Sequence, residues 1–138
     1  MSERVVCYQN SAFQTGFKAA ESENDQPGEL QDVAHLQELT PYGLLLASLA
    51  SCTAIVLNSF ANNHEIPLES VTIDCQYSRV FAEDCENCDE NTQYEEIIQE
   101  SLAFEGDLTE KQRQILHQVA KACSIRRMIE TGIQVQSD

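Results

Sequence analysis

Positive charge is what this sequence has least of: eight lysines and arginines stand against 23 acids, a formal net charge of −15. That balance repels phosphate backbones and anionic headgroups, so neither nucleic acid nor a membrane surface is an expected partner. Also missing is any uninterrupted apolar stretch of the roughly 18 or more residues that a membrane span requires. The first residues, Met1 to Gln9, lack the basic-then-apolar order of an export signal, and the cytoplasm is the expected compartment. No repeat or low-complexity tract interrupts the chain, and 138 residues is the usual size of one domain, here expected over 1–138.

What is present reads as an α+β pattern. Arg4 to Tyr8 and Ala12 to Phe17 flank the turn residues Gln9-Asn10-Ser11, which predicts an N-terminal hairpin. From Ala20 to Glu38 the chain is polar and acidic, punctuated by Pro27-Gly28, and predicts a surface loop with one short strand near Val33. Thr40-Pro41 supplies an N-cap hydroxyl followed by proline at the first helical position, ahead of an apolar run from Leu44 to Phe60. A helix so apolar on every side belongs in the middle of a fold, and Ser48, Ser51, Thr53 and Asn58 argue against a membrane span. Leu68 to Phe81 alternates as a strand, with Val71, Ile73, Cys75 and Tyr77 in one phase, and Tyr94 to Phe104 returns as its partner across an acidic turn. Asp107 or Thr109 then caps an amphipathic helix running into Cys123. A helical turn around Ile125–Ile129, a stop at Gly132 and a last strand through Ile133-Gln134-Val135 complete the prediction.

Six cysteines without an export signal read as thiols for catalysis, metal or packing rather than as structural disulfides. Cys52 lies mid-helix in Leu49-Ala50-Ser51-Cys52-Thr53-Ala54, where pattern alone favours a small buried hydrophobe. Cys123 ends a helix and precedes Arg126 and Arg127, whose charge would favour a thiolate. Cys85-Glu86-Asn87-Cys88 has the spacing of half a zinc site or a redox dithiol, but no second such unit supplies the remaining ligands, and its acidic neighbours would raise a thiol pKa. Cys7 and Cys75 fall on predicted strands as core. His35, His64 and His117 have no motif partners and read as solvated or satisfied histidines.

The segment Thr40-Pro41-Tyr42-Gly43-Leu44-Leu45-Leu46-Ala47-Ser48-Leu49-Ala50-Ser51-Cys52-Thr53-Ala54 resembles the central-helix signature of the OsmC/Ohr superfamily. Ile66-Pro67-Leu68-Glu69-Ser70-Val71, Phe104-Glu105-Gly106-Asp107-Leu108-Thr109-Glu110 and Lys121-Ala122-Cys123-Ser124-Ile125 follow in the family's order, so the resemblance runs over about residues 40–135. It implies an OsmC-like fold, with curved antiparallel sheets wrapped around a long buried central helix in an intertwined homodimer. It further implies a thiol-dependent peroxidase for organic hydroperoxides or hydrogen peroxide, reset by a dithiol reductant, with no cofactor. The position of Cys52 is that of the attacking thiol and the position of Cys123 that of the resolving thiol. Two features depart from the family pattern. Tyr42 and Gly43 stand where the peroxidases carry a glutamate, and the only arginine before Arg79 is Arg4; Lys18 lacks the planar fork of an arginine. Ser124 and Arg126 replace the usual proline and histidine after the second cysteine, and Arg126 or Arg127 is the expected substitute cation. The alternative from another class is a non-catalytic relative that binds a small apolar ligand, or senses redox state, at the Cys52 cleft. A zinc module built on Cys85 and Cys88 is the third.

Overall fold

The computed structural model describes residues 2–22, 28–81 and 94–138. The N-terminal hairpin is β1 (Ser2–Asn10) against β2 (Thr15–Ser22), with Gln9 opposite Thr15 and Ser2 opposite Ser22. Its turn is closed by the Asn10 side chain, whose Oδ1 accepts from the N–H groups of Ala12 and Gln14, both at 3.0 Å, around Phe13 in the left-handed region. The short strand expected near Val33 is β3 (Gln31–Val33), which pairs with β2. Beyond a single 3₁₀ turn, Leu36–Glu38, the chain enters the central helix α1 (Pro41–Asn63). The cap is the expected one: Thr40 Oγ1 accepts from Gly43 N–H at 3.0 Å, and Pro41 opens the helix.

The long pair β4 (Leu68–Phe81) and β5 (Tyr94–Gly106) is antiparallel, running from Phe81 opposite Tyr94 to Leu68 opposite Gly106, with an irregularity between Leu68 and Ser70. Gly106 closes this end at φ +141°, where a side chain would run into the Pro67 carbonyl. The acidic turn carrying Cys85 and Cys88 lies outside the described residues. Of the two caps foreseen for α2 (Glu110–Val119), Thr109 is the one used: its hydroxyl accepts from Gln112 N–H, and the Gln112 side chain accepts from Thr109 N–H. The chain tightens into a 3₁₀ turn, Ala120–Ala122, and restarts as α3 (Ser124–Thr131), ending at Gly132 with φ +82°.

The strands form one antiparallel sheet in the order β3-β2-β1-β4-β5. Alternation decides its faces. Val5, Cys7 and Gln9 of β1, and Val71, Ile73, Cys75 and Tyr77 of β4, are buried on the face that α1 covers. Leu46, Ala50, Thr53, Ala54, Leu57 and Asn58 of α1 are buried there with them. Within this layer Asn58 Nδ2 donates to Gln9 Oε1 at 2.9 Å, a buried polar contact between helix and sheet. At 23 residues α1 is long and apolar enough to cross a bilayer by composition alone, and here the sheet covers one side of it. Its other side keeps Leu44, Leu45 and Ile55 exposed in the single chain.

One predicted element is not there. Residues 133–135 form no strand, and Ile133 and Val135 are 66% and 83% exposed. Alternating apolar residues mark a segment suited to a sheet, but a strand exists only when hydrogen-bonded to a neighbour, and none is beside it among the described residues.

Candidate active site

The two cysteines singled out from sequence, 71 residues apart, meet where α3 begins. Cys52 sits halfway along α1, half-buried, and Cys123 is the N-cap of α3, only 1% exposed. Both are free thiols and they are side-chain hydrogen-bond partners of one another. Ser124 Oγ lies 3.9 Å from Cys52 Sγ.

Their environments push the two thiols apart. Burial alone would raise the pKa of Cys52, but donors outweigh it: the Cys123 thiol, the backbone N–H of Ile125, and the hydroxyl and N–H of Ser124 together hold it below the ordinary cysteine value. Ser124 and Ile125 are the first two residues of α3, so their N–H groups have no partner within the helix. The Cys52 sulfur occupies the place of an anion at a helix start, which favours the thiolate. Cys123 moves the other way. Its pKa is raised first by burial and then by its bond to Cys52, against smaller opposing contributions from Arg126 N–H and Thr53.

This corrects the expected role of the arginines. Arg126 touches Cys123 only through its backbone N–H, 3.5 Å from the sulfur, so the second thiol is not held as a thiolate. Neither guanidinium is among the groups that lower Cys52. Arg126 Nε instead donates to Glu130 at 2.8 Å, and its Nη1 lies 4.0 Å from Glu100. Arg4 is remote for a reason of register: it sits on the sheet face away from α1, in a bidentate pair with Asp74 at 3.0 and 2.7 Å. Lys18 is exposed beside Asp32. Tyr42 stacks on Tyr77 with centroids 5.0 Å apart.

Two residues that the sequence reading passed over complete the cluster. Thr53, fully buried, donates its hydroxyl to Leu49 O at 3.0 Å and to Glu100 Oε2 at 3.3 Å, and it contacts Cys123. Glu100 comes from β5, opposite Cys75 in register, and the Cys75 thiol points at the same carboxylate oxygen from 4.0 Å. Burial raises the Glu100 pKa, opposed by Arg126 and Thr53. A signal for Glu100 existed: it shares the strand phase of Ile98, Leu102 and Phe104, so it is an acid placed on the core-facing side. Glu100 and Arg126 also line an open cleft of about 1120 Å³ with Tyr42, Leu49, Tyr77 and Ile98, while Cys123 and Ser124 edge a separate hollow of about 380 Å³.

The remaining singled-out residues are structural where described. Cys7 and Cys75 are buried core, and burial pushes the Cys7 thiol up to about 12. His64 stacks on Phe60 and His117 meets the edge of Phe104.

A five-stranded antiparallel sheet laid over one long central helix is an α+β fold of the OsmC kind. The chain belongs to the OsmC-like protein family, whose model matches residues 34–138. Its structure is similar to that of an OsmC-like hydroperoxide resistance protein from Jannaschia sp. CCS1, with a TM-score of 0.69 over 99% of this chain and 91% of that one at 12% identity. No curated protein matches the sequence.

Proposed function

We propose that this protein is a thiol-dependent peroxidase for organic hydroperoxides or hydrogen peroxide, with Cys52 as nucleophile and Cys123 as resolving thiol. The observation that carries the reading is the opposed shift of two neighbouring cysteines, the half-buried one on α1 favouring thiolate and the buried one favouring thiol. The Cys52 thiolate attacks the terminal oxygen of the peroxide; the O–O bond breaks, Cys52 becomes a sulfenic acid, and the alkoxide or hydroxide leaves to take up a proton. Cys123 then attacks the sulfenic sulfur, forming the disulfide and releasing water. A dithiol reductant returns both thiols by exchange. The fold's neighbour is named for hydroperoxide resistance, which supports the substrate class.

The activation differs in kind from an arginine clamp: hydrogen-bond donors at the start of α3 take the place of a cation. A homodimer belongs to the same proposal, since the exposed Leu44, Leu45 and Ile55 on α1 form an apolar face that a second copy would cover. The test is hydroperoxide turnover with a dithiol reductant in wild type, Cys52→Ser and Cys123→Ser. The reading requires turnover that Cys52→Ser abolishes, and a sulfenic acid that accumulates in Cys123→Ser. Turnover no faster than buffer in the wild type would leave the non-catalytic, ligand-binding reading.

A further inference from the structure

Disulfide closure needs a proton removed from Cys123, and Cys123 is badly placed to lose it. The thiol is 1% exposed, burial raises its pKa, and its neighbour Cys52 has spent its charge once it is oxidised. The sulfur is almost wholly covered, although its residue edges the hollow beside Ser124, so a neighbouring side chain is the nearest carrier for the proton. A route is built in. Cys123 contacts Thr53, and the Thr53 hydroxyl lies 3.3 Å from Glu100 Oε2. That hydroxyl has one proton and three acceptors around it, Leu49 O at 3.0 Å, Glu100 Oε2 and the Cys123 sulfur, so turning its proton toward Glu100 frees its oxygen to take one from the thiol. Glu100 in turn opens onto the large cleft and hence to solvent.

We infer that Thr53 and Glu100 form a proton relay that deprotonates Cys123 as it closes on Cys52. The inference rests on the thiol-pair reading above but concerns the second step alone. As the Cys123 sulfur attacks, its proton passes to Thr53 Oγ1 and the Thr53 proton passes to Glu100 Oε2. The hydroxide displaced from the sulfenic sulfur is neutralised by that proton, so the sum is one thiol and one sulfenic acid giving one disulfide and one water. Thr53 touches a reacting atom; Glu100 acts through it and is a positioning residue.

The groups facing Glu100 fit a proton acceptor held ready. Arg126 of α3, 4.0 Å away, favours the carboxylate against the burial that raises its pKa, and Glu130 shares that guanidinium. Cys75 of β4 faces it as a neutral thiol, its pKa pushed up by burial. His117, Lys121 and Glu96 line the same cleft. Burial makes Glu100 a stronger base than a free carboxylate, which suits a relay working near neutrality.

The test reads closure without peroxide. In a Cys85→Ser/Cys88→Ser background, Cys52 is loaded as a mixed disulfide with a chromogenic aryl thiol; attack by Cys123 forms the Cys52–Cys123 disulfide and releases the aryl thiolate, while the Cys123 proton departs. The expected result is release that is nearly independent of pH around neutrality in the parent. Glu100→Gln and Thr53→Val should slow it by roughly 100-fold at pH 7 and make it climb about tenfold per pH unit, as direct ionisation of a buried thiol requires. Thr53→Ser, which keeps the hydroxyl, should restore the parent behaviour. Should Glu100→Gln fail to fold, the Thr53→Val and Thr53→Ser pair carries the test alone. Parent-like rate and pH profile in the hydroxyl-free or carboxylate-free variant would overturn the relay. Because no peroxide is used, that result is distinct from absence of peroxide turnover, which counts against the peroxidase reading.

Discussion

The chemistry turns on which groups reach one sulfur atom. Cys52 is held below its ordinary pKa by neutral donors, so its alkylation rate should inflect below the free-thiol value of about 8.5 and shift upward in Cys123→Ala, which removes one donor. Rate against pH with a haloacetamide measures it; an inflection at or above the free value would mean the thiol is not activated. Arg4→Met should leave that inflection in place and cost no more than about 1 kcal/mol, because its pair with Asp74 is on the far face and about a third exposed to screening solvent. At this scale the sequence was half legible. Pattern alone gave packing for Cys52 and nearby arginines as a reason for reactivity at Cys123, and the resemblance paired them, because local periodicity cannot say what stands beside a sulfur 71 residues away. Glu100 was readable as an acid on the apolar phase of its strand. Thr53 carried no signal beyond being next to Cys52, since a buried hydroxyl in a helix usually does no more than bond back to its own turn, as this one also does at Leu49.

Among the elements, α3 is where fold and reactivity join. Ser124 is its first residue, where proline is tolerated, and Cys123 before it already has the extended φ −71°, ψ 126° that a following proline demands. Ser124→Pro should therefore keep the helix by circular dichroism yet raise the Cys52 inflection, because it deletes one N–H and one hydroxyl aimed at the sulfur. Ser124→Ala, which keeps the N–H, should raise it less; equal effects would deny the backbone its role. The elements themselves were well read. The Thr40-Pro41 start, the β4 bounds and the Thr109 cap are local signals with local causes, and the structure keeps them. The strand at 133–135 failed because alternation reports suitability for a sheet, whereas pairing depends on what lies alongside. Gly106→Ala should destabilise by about 1–3 kcal/mol in chemical denaturation, since its positive φ and the nearby Pro67 carbonyl leave no room for a side chain.

For the whole molecule, the apolar stripe on α1 and a net charge of −15 make opposite demands on association. Burial of Leu44, Leu45 and Ile55 favours a dimer, and like-charge repulsion opposes it, so the dimer should tighten as salt screens the charge. Ile55→Glu should give a folded monomer by light scattering coupled to size exclusion. In that monomer Cys52 should keep its low alkylation inflection, because every donor that lowers it comes from the same chain. A wild-type monomer would remove the dimer from the account and leave the thiol site standing.

The most direct test of the central claim is peptide mapping by mass spectrometry of the reduced protein after one equivalent of an organic hydroperoxide, under non-reducing conditions. The account predicts a Cys52–Cys123 disulfide formed in step with peroxide loss, and no peroxide loss in Cys52→Ser. Peroxide consumed equally by Cys52→Ser, or a wild type in which both thiols survive intact, would contradict it.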